Sequence, residues 1–138
     1  MKKLFVFAVL AVVILTVSGI SFGAGKTEKF VGYLADVACG TGGTSADGFN
    51  LNMEPEKHTV ACMLAPGCAA SGYGIEINEG TSAAKNYVYT KFDKKGNELA
   101  AKLLKKTKKT DNVSIEVRGV KEGDIIKVSS LKETKIKK

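Results

Sequence analysis

The final third of the chain constrains its fold most tightly. Between Asn112 and Gly119, Val113, Ile115 and Val117 alternate with Ser114, Glu116 and Arg118. Successive side chains of a strand point to opposite faces, so this spacing predicts a strand with one dry face and one wet face. Lys121-Glu122-Gly123 reads as a tight turn, and residues 124–131 (DIIKVSSL) as the returning strand of a hairpin. Two such strands need further strands or a helix to cover their apolar face.

The rest of the chain supplies them. Residues 29–38 are β-rich, with Val31, Tyr33, Ala35 and Val37 expected on one face. Residues 72–78 alternate Tyr73, Ile75 and Ile77, and residues 85–92 (KNYVYTKF) follow after an Asn-Glu-Gly turn. Asn97 is a candidate cap for a helix reading ELAAKLLKKTKK. Leu99, Leu103 and Leu104 would form its buried stripe, with lysines at the C-terminal end where the helix dipole favours them. The order is strand, insert, strand, strand, helix, strand, strand. It predicts a mainly β fold with some helix: a five-stranded barrel like the oligonucleotide/oligosaccharide-binding (OB) fold, with the helix between strands 3 and 4. An open α+β sheet built from the same elements is the alternative.

The N-terminus speaks to compartment. Lys2 and Lys3 precede an apolar run over residues 4–17, and small residues follow at Ser18, Gly19, Ser21, Gly23 and Ala24. This is the three-part pattern of a secretory signal peptide over residues 1–23, with an uncleaved membrane anchor as the rival. A single domain over 24–138 would remain, with an insert at 39–71 and a frayed basic tail at 132–138. An exported protein, periplasmic or secreted, is the expectation. The net charge of +7 falls to +5 once Lys2 and Lys3 are removed. Mild basicity admits an anionic surface polymer or a protein as partner, and export argues against nucleic acid. A membrane contact would run only through an uncleaved leader.

The insert holds the chemistry. Residues 39–52 are rich in Gly, Ser, Asp and Asn and read as loop. Pro55 suits the first turn of a helix running to about Leu64, where Pro66-Gly67 stops it. All three cysteines and the single histidine lie in this insert, three of the four inside residues 58–68. Cys39 closes the first strand, His58 and Cys62 share a helix face four residues apart, and Cys68 lies just past the stop. Three thiolates and an imidazole suit tetrahedral zinc, and soft thiolates also suit monovalent copper. Asp36 is the candidate carboxylate that fixes the imidazole tautomer.

The competing reading is a disulfide drawn from Cys39, Cys62 and Cys68, which leaves one odd thiol in any pairing. Other sites are excluded outright. The chain has no C-x-x-C-H for haem attachment and no C-x-x-C redox pair, and one histidine is too few for a blue-copper centre. A catalytic His58–Cys62 pair would need contact and an orienting third group, and residues so spaced are more often packing or ligands, so the chain reads as a binding or accessory protein rather than an enzyme. A second candidate surface is the third strand, where Tyr87, Tyr89, Lys91 and Phe92 can stack and hold an anionic glycan.

Three stretches also carry a likeness. GYLADVACG, KHTVACMLAPGCAASGYGI and the final NVSIEVRGVKEGDIIKV hairpin together resemble a family of small exported bacterial proteins. Its pattern is G-Y-x-x-D-x-x-C-G, then H-x-x-x-C and a further Cys, then an OB-like hairpin. Asp36, Cys39, Gly40, His58, Cys62 and Cys68 occupy the matching positions, and the likeness covers nearly the whole exported part. It implies compartment and a travelling Asp/Cys/His/Cys/Cys set, and no activity comes with it.

Overall fold

A computed structural model describes residues 25–136. The expected leader lies outside them. Five strands form one mixed sheet: β1 (Glu28–Asp36), β2 (Tyr73–Asn78), β3 (Tyr87–Phe92), β4 (Ser114–Glu122) and β5 (Ile125–Glu133). β1 pairs antiparallel with both β2 and β4, β2 with β3, and β4 with β5. A short parallel contact, Lys91 opposite Ile125 and Phe92 opposite Ile126, joins β3 to β5. Every strand therefore has two neighbours, and the sheet closes in the order β1-β2-β3-β5-β4. The open-sheet alternative does not describe it.

The barrel interior is filled by Leu34, Ile75, Phe92, Ile115, Val117, Ile126 and Val128. The longest helix among the described residues, α4 (Lys94–Lys106), connects β3 to β4 and adds Ala100 and Leu104 to this core. Its cap is Asp93, whose Oδ1 accepts from the Gly96 amide at 2.9 Å. Asn97, the cap expected from sequence, sits inside the first turn; its Oδ1 accepts from the Tyr73 amide at 2.7 Å and ties helix to β2. Gly96 lets the helix sit close, because a Cβ there would collide with Phe92 and Val128.

Two further expectations need correction. On β1, Val31, Tyr33 and Ala35 do share one face, but it is the outer one, where Val31 is exposed and Ala35 packs under the insert; Phe30 and Leu34 face the barrel interior, and Val37, expected on the same strand face, opens α1 instead. The tail is also less frayed than its composition suggests. Lys132 and Glu133 belong to β5, and Ser114 Oγ donates to the Thr134 carbonyl at 2.7 Å.

Between β1 and β2 lie three short helices, α1 (Val37–Gly42), α2 (Val60–Met63) and α3 (Pro66–Ser71), and a single 3₁₀ turn, Pro55–Lys57. They fold back over the outer face of β1–β3. Ala35 and Cys39 form a small second core there with Leu51, and Tyr89 packs against it. No helix among the described residues is long and apolar enough to cross a membrane.

Candidate metal centre

Asp36, the last residue of β1, organises the site. Its Oδ1 accepts from the Cys39 amide at 3.0 Å and so caps α1. Satisfying an orphan amide at a helix start is what an Asp in this position does best. Cys39 therefore lies in the first turn of a short helix, where the sequence placed it at the end of the strand. The helix stops at Gly43, whose φ of 68° lies in the left-handed region open to glycine.

The helix expected from Pro55 to Leu64 is broken at His58. Pro55 does begin a helical turn, but His58 is extended (φ −65°, ψ 125°) and Thr59 starts again as the cap of α2, with Oγ1 accepting from the Cys62 amide at 3.1 Å. His58 and Cys62 thus do not share a helix face. Pro66 ends one segment and opens the next, since its ring suits the first turn of α3, and α3 carries Cys68.

The break turns His58 inward. The ring is 1% exposed, with Nε2 2.9 Å from Asp36 Oδ2 and Nδ1 3.4 Å from Asp47 Oδ1. Asp47 also accepts from Thr59, from the amide at 3.1 Å and the hydroxyl at 2.8 Å, so it pins the start of α2. A neutral imidazole has one N–H, and here two carboxylates compete for it. A cation on one nitrogen, with the N–H directed to a carboxylate from the other, satisfies the arrangement.

The sulfur atoms gather on the same spot. One ring nitrogen of His58 and the Sγ atoms of Cys39 and Cys62 lie within 4.8 Å of one another. A second triad of Asp36, Cys39 and Cys68 meets the same limit and shares Cys39 with the first. Cys39 Sγ is 4.0 Å from Cys68 Sγ, about twice a disulfide bond length, and all three cysteines are free. The structure thus brings together every residue expected at the site, as two triads on a common sulfur, and forms no disulfide among them.

Burial pushes the Cys39 thiol far up, with the nearby Asp36 charge adding to it, and pushes Cys68 up to about 11. Burial alone would raise Asp36 as well, but its hydrogen bonds to His58 and the Cys39 amide hold it below the usual carboxylate range. Burial likewise opposes ionisation of Asp47, yet Ser45 and Thr59 bring it down to about 2.

Two acidic groups, the partly exposed Asp47 and the buried Glu76, were not signalled by the sequence. Asp47 lies in a glycine-rich loop and shows no spacing to the other site residues. Glu76, opposite Tyr89 in the β2–β3 register, has no accessible surface, and neither carboxylate oxygen has a partner. Burial pushes it up to about 8. Tyr89 lies across Gly40 and Gly74, where a Cβ at either would collide with it, and its hydroxyl is also unpartnered.

The polymer-binding set divides. Tyr87 is buried against Tyr33, edge-on with ring centroids 5.7 Å apart. Tyr87, Tyr89 and Lys91 line an outer groove, where Lys91 lies 3.7 Å from Asp124 in an exposed ion pair. Phe92 lies on the opposite face, inside the barrel, and cannot stack on a bound polymer.

Searches of protein-family models, curated proteins and solved structures return no match to this chain.

Proposed function

We propose that the protein is an exported metal-holding protein, with zinc or monovalent copper bound by Cys39, His58, Cys62 and Cys68. The observation that carries this reading is the triad of Cys39, His58 and Cys62 donors within 4.8 Å of one another, its histidine buried between two carboxylates. Donors around tetrahedral zinc stand roughly 3.3 to 3.8 Å apart, so small side-chain rotations suffice to close on an ion. Cys68, 4.0 Å from Cys39, supplies the fourth donor. Asp36 orients His58 and holds the turn that presents Cys39. The set of four protein donors leaves no position open for a substrate, which suits a site that holds its metal rather than one that catalyses with it.

The barrel is OB-like in this reading. Its strand order, the parallel β3–β5 contact and the helix between β3 and β4 support that assignment. The leader pattern and the resemblance stated above support export and a place among small exported bacterial proteins.

Elemental analysis with thiol counting on one native sample tests the metal. One equivalent of zinc or copper, with three thiols released on denaturation in chelator, is expected. A metal-free protein with one free thiol and one disulfide would replace this reading with the stapled-module alternative, whose ligand groove is the one lined by Tyr87, Tyr89 and Lys91.

A further inference from the structure

A second cavity, of about 390 Å³, opens beside the 3₁₀ turn and away from the cysteine cluster. Its walls come from separate segments: Tyr33 on β1, Asn78 at the end of β2, Tyr87 at the start of β3, Glu56 in the 3₁₀ turn, Lys85 before β3, and Asn112 before β4. Pockets of this size take small molecules of one or two residues.

The charges of the lining are few and opposed. Among the described residues, Glu56 and Lys85 are the only charged ones in the lining, and neither makes an ion pair there. Glu56 Oε2 is buried without a hydrogen-bond partner. An unpaired buried carboxylate oxygen is costly, and a ligand cation would offset that cost. Two aromatic rings stand beside it, since Tyr33 and Tyr87 meet edge-on at 66°. Burial first, and then the Glu56 charge among the causes, raise both phenols, Tyr33 to about 12, so they remain neutral rings with hydroxyl donors. A carboxylate beside aromatic rings is a setting that favours an ammonium group.

Donors characterise the Lys85 side. Asn78 Oδ1 already accepts from the amides of Gly80 and Asn86, at 3.0 and 3.1 Å. That fixes the Asn78 side chain with its two N–H donors uncommitted, in a cavity that Lys85 also lines. Donors of this kind suit a carboxylate.

We propose that this cavity binds a small zwitterion of the amino-acid or dipeptide class, its ammonium at Glu56 and the two tyrosines, its carboxylate at Lys85 and Asn78. A neutral sugar would leave both charges unpaired, and a simple anion or cation would leave one. The proposal stands apart from the metal reading, because none of these residues is a metal donor.

Calorimetric titration of the full chain with glycyl-leucine, N-acetyl-glycyl-leucine and glycyl-leucine amide tests it. The dipeptide should bind, and each capped derivative should bind about tenfold more weakly or worse. Glu56→Gln should abolish the preference over the N-acetyl form, and Lys85→Met the preference over the amide, with metal content unchanged in both. Capped derivatives that bind as well as the dipeptide, or no saturable heat up to about 10 mM of it, would overturn the proposal.

Discussion

Glu76→Gln isolates the least comfortable group in the molecule. Glu76 has no accessible surface, no partner for either oxygen and a folded-state pKa of about 8, against 4.5 for the free side chain. A raised folded pKa means that the native state holds the proton more tightly than the unfolded chain. The stability tied to that proton is fully present below pH ~4.5 and is lost as pH rises through about 8. The difference of about 3.5 units, at about 1.4 kcal/mol per unit, amounts to about 5 kcal/mol at most. Glutamine mimics the neutral acid in shape and cannot ionise. Chelated, reduced wild type and variant should therefore unfold in urea within about 1 kcal/mol of each other near pH 5. Toward pH 8 the variant should become the more stable by up to about 4 kcal/mol. Parallel stability curves from pH 5 to 9 would refute the reasoning, because they would mean that Glu76 ionises in the folded protein with its charge compensated.

Other outcomes follow from the same geometry. Cys39 belongs to both donor triads, so Cys39→Ser should empty the site, whereas Cys68→Ser leaves the Cys39/His58/Cys62 triad and should retain metal at reduced affinity; elemental analysis after dialysis against a weak chelator separates the two. In chelated protein, a thiol oxidant should join Cys39 to Cys68, whose sulfurs are 4.0 Å apart, and leave Cys62 free; peptide mapping that finds Cys62 in the bond would contradict this. Asp47 is held down to about 2, so its contribution is full above pH ~4 and fades as pH falls through about 2. Because Asp47 sits near the surface, the effect should stay below about 1 kcal/mol, read as a flatter acid limb in urea melts of Asp47→Asn.

The strands and their order were legible because alternation is a local signal. Tyr73, Ile75 and Ile77 in β2, and Val113, Ile115 and Val117 in β4, carry it without interference. β1 misled for a physical reason. It is covered by the barrel core on one side and by the insert on the other, so Tyr33, Leu34, Ala35 and Asp36 are all buried. A strand buried on both faces has no wet face to set its phase. Val31, Tyr33 and Ala35 do share a face, but it is the outer one, the interior takes Phe30 and Leu34, and Val37 leaves the strand to open α1.

The site was legible in membership and not in mechanism. Cysteine, histidine and aspartate at these positions announce themselves, but the helix meant to pair His58 with Cys62 is absent. Thr59 explains this. Its side chain caps α2 and donates to Asp47, a residue twelve positions earlier, and both bonds favour a break over a continued helix. The break also frees the His58 ring to lie between Asp36 and Asp47, which an unbroken helix would not allow. Asp47 could not be inferred, because its role depends on a loop folding back across the sheet. Glu76 escaped for the matching reason: its place on β2 is an outward one, wet in an ordinary strand, and only the insert lying over it makes it buried. The same cover that assembles the cysteines thus strands a carboxylate beneath them, so the stability of the insert should depend on whether Glu76 keeps its proton.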